Sequence, residues 1–249
     1  MMRMMRRTRS VRTEIGNAAA SSEIVPARSN APIEKATRIF LLSPANANGL
    51  RARMILSDRA TFDLAVRLRN TGLPLGELFS FISGLYFRGK LAYAQAFGNS
   101  DSRSPNVFVI TAGGGLIPPE TPITIERLRE IASVPIEPKE ARYRVPLERD
   151  ARKLLTRMTS ACEVVLLGSV ATPKYVEPLL GIFGERLMFP AEFAGRGDMS
   201  RGGLMLRCAR SGEQLTYVPV ATAMRHGPRP PKLPKLPRQS SRAPLASEG

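Results

Sequence analysis

Ile39-Phe-Leu-Leu42-Ser-Pro-Ala-Asn46, an unbroken apolar run that passes directly into a polar loop, is the clearest indication of fold in this chain. A short apolar run without polar alternation is typical of a strand that is buried on both faces. Two later runs have the same form: Val107-Phe-Val-Ile110 precedes Thr-Ala-Gly-Gly-Gly115, and Glu163-Val-Val-Leu-Leu167 precedes Gly168-Ser169. We therefore expect these three runs to be parallel strands inside one sheet.

Helical patterns fill the stretches between the strands. Apolar residues recur every three or four positions through 75–97, where Gly84 or Gly89 can break the helix in two. Thr124 is a suitable N-cap for the helix that follows it. The other expected helices cover about 58–69, 147–158 and 175–183. Strands that alternate with helices indicate a mostly parallel sheet with helices on both faces, an α/β fold of three layers.

The C-terminal third predicts further strands. Arg186 to Phe189 has the composition of a fourth strand. Leu204–Ala209 and Leu215–Val220 are apolar runs joined by Arg-Ser-Gly-Glu, which suits a tight turn. We therefore expect an antiparallel C-terminal hairpin at the edge of the sheet.

Charge is concentrated at the two ends of the chain. The 249 residues carry a formal charge of +16. Residues 1–37 hold seven Lys and Arg against three Glu, and residues 223–249 hold six against one. Both ends lack apolar periodicity, so we expect a disordered basic extension over 1–36, a single α/β domain over 37–222 and a disordered, Pro-rich tail over 223–249. A basic chain attracts polyanions, which makes nucleic acid a candidate partner.

Several classes of site are disfavoured by composition. The chain has two Cys and one His, and that His226 lies in the Pro-rich tail, which argues against a structural zinc site and a Ser–His–acid triad. No apolar run approaches the roughly 18 residues that span a bilayer, and no apolar segment follows the Arg-rich start. We expect no metal, no cofactor and no membrane partner, and a cytoplasmic location. The oligomeric state stays open.

Polar and glycine-rich stretches follow each predicted strand, and ligands bind beyond the carboxyl ends of strands in such sheets. Glycine allows close backbone approach, and Arg or Lys beside exposed amides suits an anion such as phosphate. The same residue types also serve turns for geometry alone. The candidate ligand- or anion-binding residues are Ser43, Asn46, Asn48, Tyr86, Arg88, Lys90, Gly113, Gly114, Ser169, Lys174, Arg196, Ser200 and Arg201.

Acid–base chemistry would fall on carboxylates, because the predicted domain contains no His. The candidate catalytic residues are Asp198 and Glu192, with Arg196 as the preferred anion contact. Asp198 has a second possible role, since it is close enough in sequence to orient Arg196. If the loops at the strand ends form one site, the residues that should converge on it are Ser43, Asn46, Ser169, Glu192, Arg196 and Asp198.

Two motifs carry a resemblance to a known family. They are Leu85-Tyr86-Phe-Arg88-Gly-Lys90-Leu-Ala-Tyr93-Ala94 and Val109-Ile-Thr-Ala-Gly-Gly-Gly-Leu116-Ile-Pro-Pro119. They resemble a bacterial and phage domain family of unknown function that is distantly related to the bacterial peroxide-stress DNA-binding proteins, and Ser43-Pro-Ala and Ser83-Gly-Leu-Tyr86 are similar to motifs of that wider group. The resemblance spans about 38–182 and implies an α/β fold associated with DNA or nucleotides. Gly113-Gly114 and Asn46 replace lysines of the family pattern, which argues against lysine-dependent chemistry there.

Three functional hypotheses follow. The leading one is a nucleic-acid- or nucleotide-associated protein that acts in DNA maintenance or stress response. The second is an enzyme that acts on a nucleobase or nucleoside at the glycosidic bond, with Asp198 or Glu192 activating water. The third is a non-catalytic adaptor domain. Whether the protein is an enzyme stays open at this point.

Overall fold

The structure is a computed structural model that describes residues 37–98, 105–224 and 227–234. The expected basic extension, 1–36, lies outside the described residues, as do 225–226 and 235–249 of the expected tail. Within the described part of the tail, residues 227–234 have no helix or strand. No helix in the described ranges is long and apolar enough to cross a membrane.

A six-stranded sheet forms the centre of the fold, in the order β4-β3-β1-β6-β7-β8. The inner strands β3, β1, β6 and β7 run parallel, whereas β4 and β8 are antiparallel edge strands. The strands are β1 Arg38–Leu42, β3 Val107–Thr111, β4 Gly115–Ile117, β6 Glu163–Leu167, β7 Leu187–Pro190 and β8 Tyr217–Pro219. A small antiparallel pair, β2 Leu73–Pro74 and β5 Pro122–Ile123, stands apart. The expected α/β class is confirmed.

Helices cover the sheet on both faces. They are α1 Leu50–Leu56, α2 Asp63–Asn70, α3 Leu75–Ser83, α4 Leu85–Phe97, α5 Ile125–Ser133, α6 Ala141–Leu155, α7 Pro173–Phe183 and α8 Asp198–Ser211. The chain moves from β1 to β3 in one direction across the sheet and from β6 to β7 in the opposite direction. Because such crossover connections are right-handed, α4 lies on the opposite face of the sheet from α6 and α7. The inner strands are buried on both sides, and Phe40, Leu41 and Leu42 are wholly inaccessible.

Local sequence signals explain where several helices begin and end. Gly84 divides the 75–97 helical pattern, since its φ of 63° is a conformation that few other residues adopt. Gly89, the other candidate for a break, lies inside α4. The Thr124 side chain accepts a hydrogen bond from the amide of Arg127, so the predicted N-cap of α5 is confirmed.

The prediction that residues 204–209 form the first strand of a C-terminal hairpin is wrong. Residues 204–209 are helical and belong to α8, while the antiparallel edge pairing joins β8 to β7. A short apolar run fits a buried helix as well as a strand, and here tertiary packing decides between them. Gly202 allows α8 to approach α4 closely, and Gly212, with a φ of 74°, ends the helix.

Candidate functional site

The carboxyl edge of the sheet has a switch point between β1 and β6. The chain passes from β1 to β3 on one side and later reaches β6 on the other side. Loops after such neighbouring strands diverge and leave a crevice for ligands. Ser43 follows β1 and Gly168 follows β6, and a Cβ on Gly168 would lie 2.9 Å from the Ser43 Cβ. The switch point is therefore tightly closed at its base.

Lys90 of α4 reaches this switch point from inside the protein. Its side chain is wholly inaccessible, and its Nζ donates to the Ser43 carbonyl oxygen at 2.5 Å and to Ser43 Oγ at 2.8 Å. The ammonium also lies 4.4 Å from the ring centre of Tyr86 and 5.0 Å from that of Phe87. Within the described ranges, no carboxylate comes within ion-pair distance of Lys90.

Burial changes the proton affinity of Lys90. Desolvation lowers the pKa of Lys90 to about 7, and the charge of Asp198 opposes this shift only in part. The aromatic faces and Ser43 oxygens solvate the ammonium weakly compared with water. A buried lysine with such a pKa exchanges protons near neutral pH, which is a property of many functional lysines.

Tyr86 brings an unsatisfied polar group to the same place. Its hydroxyl is buried and, in the described part of the chain, makes no hydrogen bond of regular geometry, with Arg201 as the nearby donor group. Burial raises the pKa of Tyr86 to about 12, while the nearby Arg201 charge lowers it and the Asp198 charge raises it. We call Ser43, Tyr86, Lys90, Asp198 and Arg201 the Lys90 cluster.

The start of α8 provides the charged side of the Lys90 cluster. Asp198 Oδ1 lies 3.9 Å from Arg201 Nη1, and the Asp198 side chain is 68% exposed whereas that of Arg201 is 12% exposed. Arg201 also donates two hydrogen bonds to the Phe193 carbonyl oxygen. Arg201 is thus held by the protein, and the Asp198 carboxylate faces solvent.

An open cleft of about 410 Å³ adjoins the cluster on the carboxyl edge. We call it the edge cleft. Three of the predicted ligand residues, Asn46, Asn48 and Lys174, line it. Most of the remaining lining residues have apolar side chains, although the exposed surface of the cleft is about half polar. They are Pro44, Ala45, Ala47, Ala112, Ile131, Val134, Pro135, Ile136, Glu137 and Tyr175.

Tyr175 connects the edge cleft to the Lys90 cluster. It lines the cleft, and both Tyr86 and Asp198 are close enough to raise the pKa of its hydroxyl. Burial is the main cause that raises the pKa of Tyr175 to about 12. Tyr143 of α6 holds the start of α7 in place, because its hydroxyl donates to the Lys174 carbonyl oxygen at 2.8 Å.

Tyr175 and Tyr143 were not among the sequence-predicted site residues. The position of Tyr175 directly after Lys174, in the first turn of the helix that follows β6, was a usable signal. Tyr143 gave no such signal, since only the tertiary structure brings α6 to the start of α7.

Other predicted residues lie outside the Lys90 cluster and the edge cleft. Gly113 and Gly114 form the turn between β3 and β4, and Gly113 borders a separate cavity with Arg127 and Arg142. Ser169 follows β6, and its Oγ accepts a hydrogen bond from the amide of Ala171. Arg88 is exposed on α4.

The remaining candidates, Glu192, Arg196 and Ser200, have structural partners. Glu192 Oε1 accepts from the Thr216 amide, and Glu192 Oε2 is buried without a partner in the described ranges. Arg196 donates to the Glu192 carbonyl oxygen and to Ser200 Oγ. Asp198 is therefore paired with Arg201 and not with Arg196.

The chemistry that this arrangement supports is the binding of an anion beside a titratable amine, with one solvent-facing carboxylate nearby. Among the described residues, no group of three or more His, Cys, Asp or Glu is placed to hold a metal ion. Comparisons with family models, with curated proteins and with solved structures find no match for this chain.

Proposed function

We propose that the protein binds a phosphate-bearing ligand, a nucleotide or a segment of nucleic acid, at the carboxyl edge of its sheet. One observation carries the proposal: Lys90 is buried, and its hydrogen-bond acceptors are the two neutral oxygens of Ser43. Burying an ammonium without a counterion costs several kcal/mol. An anion at this edge would supply the counter-charge.

The attraction does not require contact with Lys90. Two unit charges 8 Å apart at an effective dielectric of 20 attract by about 2 kcal/mol. Lys174 at the edge cleft and Arg201 beside Tyr86 add positive potential. Helices α7 and α8 begin there because they follow β6 and β7, and helix N-termini favour anions.

The charge of the whole chain supports a polyanionic partner. A formal charge of +16 concentrates nucleic acid near the surface and speeds its association. Such attraction is not specific for sequence. The carboxyl edge would then bind one nucleotide unit, and the remaining charge would contact the backbone. A role in DNA maintenance or stress response is consistent with this activity.

A second candidate function is hydrolysis or transfer at a glycosidic bond. It draws on Asp198, whose exposed carboxylate lies within electrostatic range of Lys90, Tyr86 and Tyr175. A carboxylate in that position can activate water or stabilise an oxocarbenium-like centre. Glu192 is less suited to this role, since its Oε1 already accepts from the Thr216 amide.

Equilibrium binding of AMP and of a labelled single-stranded oligonucleotide to the full chain tests the proposal. Lys90→Met should weaken AMP binding by about tenfold or more, as expected from a charge interaction near 2 kcal/mol. Lys153→Met is the matched control, because Lys153 is exposed on α6. Equal AMP affinity of both variants and the wild type would contradict the proposal, and a non-catalytic adaptor would bind neither probe.

The enzymatic candidate is tested separately. The full chain is incubated with nucleosides and nucleotides, and the released free base is measured by chromatography. Asp198→Asn should abolish any release and leave AMP binding intact. Release that persists at the wild-type rate in Asp198→Asn would exclude this carboxylate as the catalytic residue.

A further inference from the structure

The loop that borders the edge cleft is fixed by its own hydrogen bonds. The Asn48 amide donates to Asn46 Oδ1 at 3.1 Å, and Asn48 Nδ2 donates to the Ala132 carbonyl oxygen at 3.0 Å. The Gly49 amide donates to the Asn46 carbonyl oxygen. The loop is thus tied to itself and to α5, so that its side chains do not need to be ordered by a ligand.

These bonds determine which atoms of the two asparagines remain available. Asn46 Oδ1 accepts from a backbone N–H, so the oxygen end of that amide is assigned by an unambiguous donor. Asn48 Nδ2 donates to a backbone carbonyl, which assigns its nitrogen end in the same way. Asn46 Nδ2 and Asn48 Oδ1 have no partner within the described ranges. Two residues that line the cleft therefore offer one donor and one acceptor that the protein does not use.

The remainder of the edge cleft suits a flat heterocycle. Its volume of about 410 Å³ falls within the usual range for small-molecule sites. Ala45, Ala112 and Val134 supply apolar wall, and Tyr175 contributes an aromatic ring. Apolar and aromatic walls with a few fixed polar groups are the usual composition of a site that binds a planar ligand.

We infer that the edge cleft binds a nucleobase, with Asn46 Nδ2 and Asn48 Oδ1 pairing to an acceptor and a donor on the edge of the base. The inference rests on the proposed function. It assigns the base of the nucleotide to the edge cleft and the attraction of its phosphate to the Lys90 cluster. Every nucleobase presents an adjacent donor and acceptor on its hydrogen-bonding edge. The side-chain amides of Asn46 and Asn48 would therefore recognise nucleobases in general and not one particular base.

The charges at the rim fit the same arrangement. Lys174 is exposed and precedes Tyr175, so a phosphate attached to a base in the cleft meets a cation at one side. Glu137 also lines the cleft and is exposed, and its carboxylate repels a phosphate from that side. A phosphate attached to the base is therefore attracted by Lys174 and repelled by Glu137.

The test uses the full chain and separates the base from the phosphate. Binding of adenosine, guanosine, cytidine, uridine, inorganic phosphate and ribose 5-phosphate is measured by calorimetry or by ligand-observed NMR. Asn46→Asp is the informative variant: its retained Oδ1 still accepts the Asn48 amide, while the free donor becomes an acceptor. Asn70→Asp, at an exposed position in α2, is the matched control for the added charge. Thermal unfolding checks that both variants fold.

We expect at least one nucleoside to bind, and Asn46→Asp to weaken that binding about tenfold while Asn70→Asp leaves it unchanged. If phosphate binds in a Lys90-dependent manner but no nucleoside binds, the nucleobase inference fails and the proposed function stands. Nucleoside binding that Asn46→Asp does not change also overturns the inference. If neither nucleosides nor phosphates bind, both are wrong.

Discussion

Gly89 of α4 and Gly202 of α8 touch through their backbones. A Cβ on Gly89 would lie 2.5 Å from the Gly202 carbonyl oxygen, and a Cβ on Gly202 would lie 2.8 Å from the Leu85 carbonyl oxygen. The atoms that such a Cβ would meet belong to the backbone of the other helix, so they can move only if a whole helical turn moves with them. This close approach sets the distance between Lys90, which follows Gly89, and Asp198 and Arg201 at the start of α8.

Gly202→Ala should therefore destabilise the protein and disturb the Lys90 cluster. We expect the free energy of unfolding to fall by about 1–3 kcal/mol, the usual cost of overpacking. AMP binding should weaken as well, because α8 moves away from α4. Urea denaturation and AMP titration measure the two effects.

Gly181→Ala is the control for this substitution. Gly181 lies in α7, and a Cβ there would meet nothing within 4 Å. Alanine has the higher helix propensity, so this variant should gain about 0.5–1 kcal/mol. A Gly202→Ala protein as stable as Gly181→Ala would show that α4 and α8 are not in close contact.

Stability should rise with pH between about 7 and 9 because of Lys90. The folded pKa is about 7 against an ordinary value of 10.5, so in this window the unfolded chain binds more protons than the folded one. The free energy of unfolding then increases by up to about 1.4 kcal/mol per pH unit. Above pH 9 the opposite effect begins, since burial raises the pKa of Cys162, Cys208 and several tyrosines.

Lys90→Met isolates this contribution. Urea denaturation at pH 7, 8 and 9 should give a smaller rise in stability with pH for the variant than for the wild type. Parallel pH profiles for the two proteins would mean that Lys90 titrates at its ordinary pKa when folded.

Tyr143→Phe should loosen the first turn of α7. Removal of the hydrogen bond to the Lys174 carbonyl oxygen predicts a decrease of about 0.5–1.5 kcal/mol in the free energy of unfolding. Nucleoside binding should weaken too, since Lys174 and Tyr175 line the edge cleft. Calorimetry and urea denaturation measure these changes.

Tyr217→Phe serves as the comparison for Tyr143→Phe. Its hydroxyl lies 2.5 Å from that of Tyr93, and Tyr217 does not line the edge cleft. We expect a comparable decrease in stability with unchanged nucleoside binding. If both variants lose binding equally, general destabilisation and not the position of α7 explains the effect.

Deletion of residues 1–36 should weaken duplex DNA binding without altering AMP binding. The deleted segment holds seven Lys and Arg against three Glu. The slope of log affinity against log salt should become shallower by about 0.9 for every phosphate that the segment neutralises in the full chain. Gel shift or anisotropy at several salt concentrations measures this slope. An unchanged slope would mean that the extension neutralises no phosphates.

The inner strands of the sheet and most helices were predictable because their signals are local. Uninterrupted apolar runs mark β1, β3 and β6, the Thr124 cap marks α5, and Gly84 separates two helices. The short apolar run 204–209 carries no such local signal. Its helical state follows from the packing of Gly202 against α4, which joins residues far apart in sequence.

The site was predictable as a location but not as a set of interactions. Ser43, Lys90 and Asp198 were all candidates, since strand ends and a charged motif identified them. The complete burial of Lys90, its hydrogen bonds to Ser43 and the pairing of Asp198 with Arg201 depend on the packing of α4 against β1 and α8. Glu192 and Arg196 were attractive for the same sequence reasons, and only the tertiary structure reveals their hydrogen bonds with Thr216 and Ser200.

The pKa of Lys90, measured in the presence and absence of AMP, tests the central proposal most directly. The full chain is labelled with 13C at lysine Cε, Lys90→Met assigns the resonance, and its shift is followed by NMR from pH 5 to 11. We expect a pKa of about 7 in the free protein and a rise of one unit or more with saturating AMP, since a nearby anion stabilises the ammonium. A Lys90 pKa that does not change with AMP bound would contradict an anion site at this edge of the sheet.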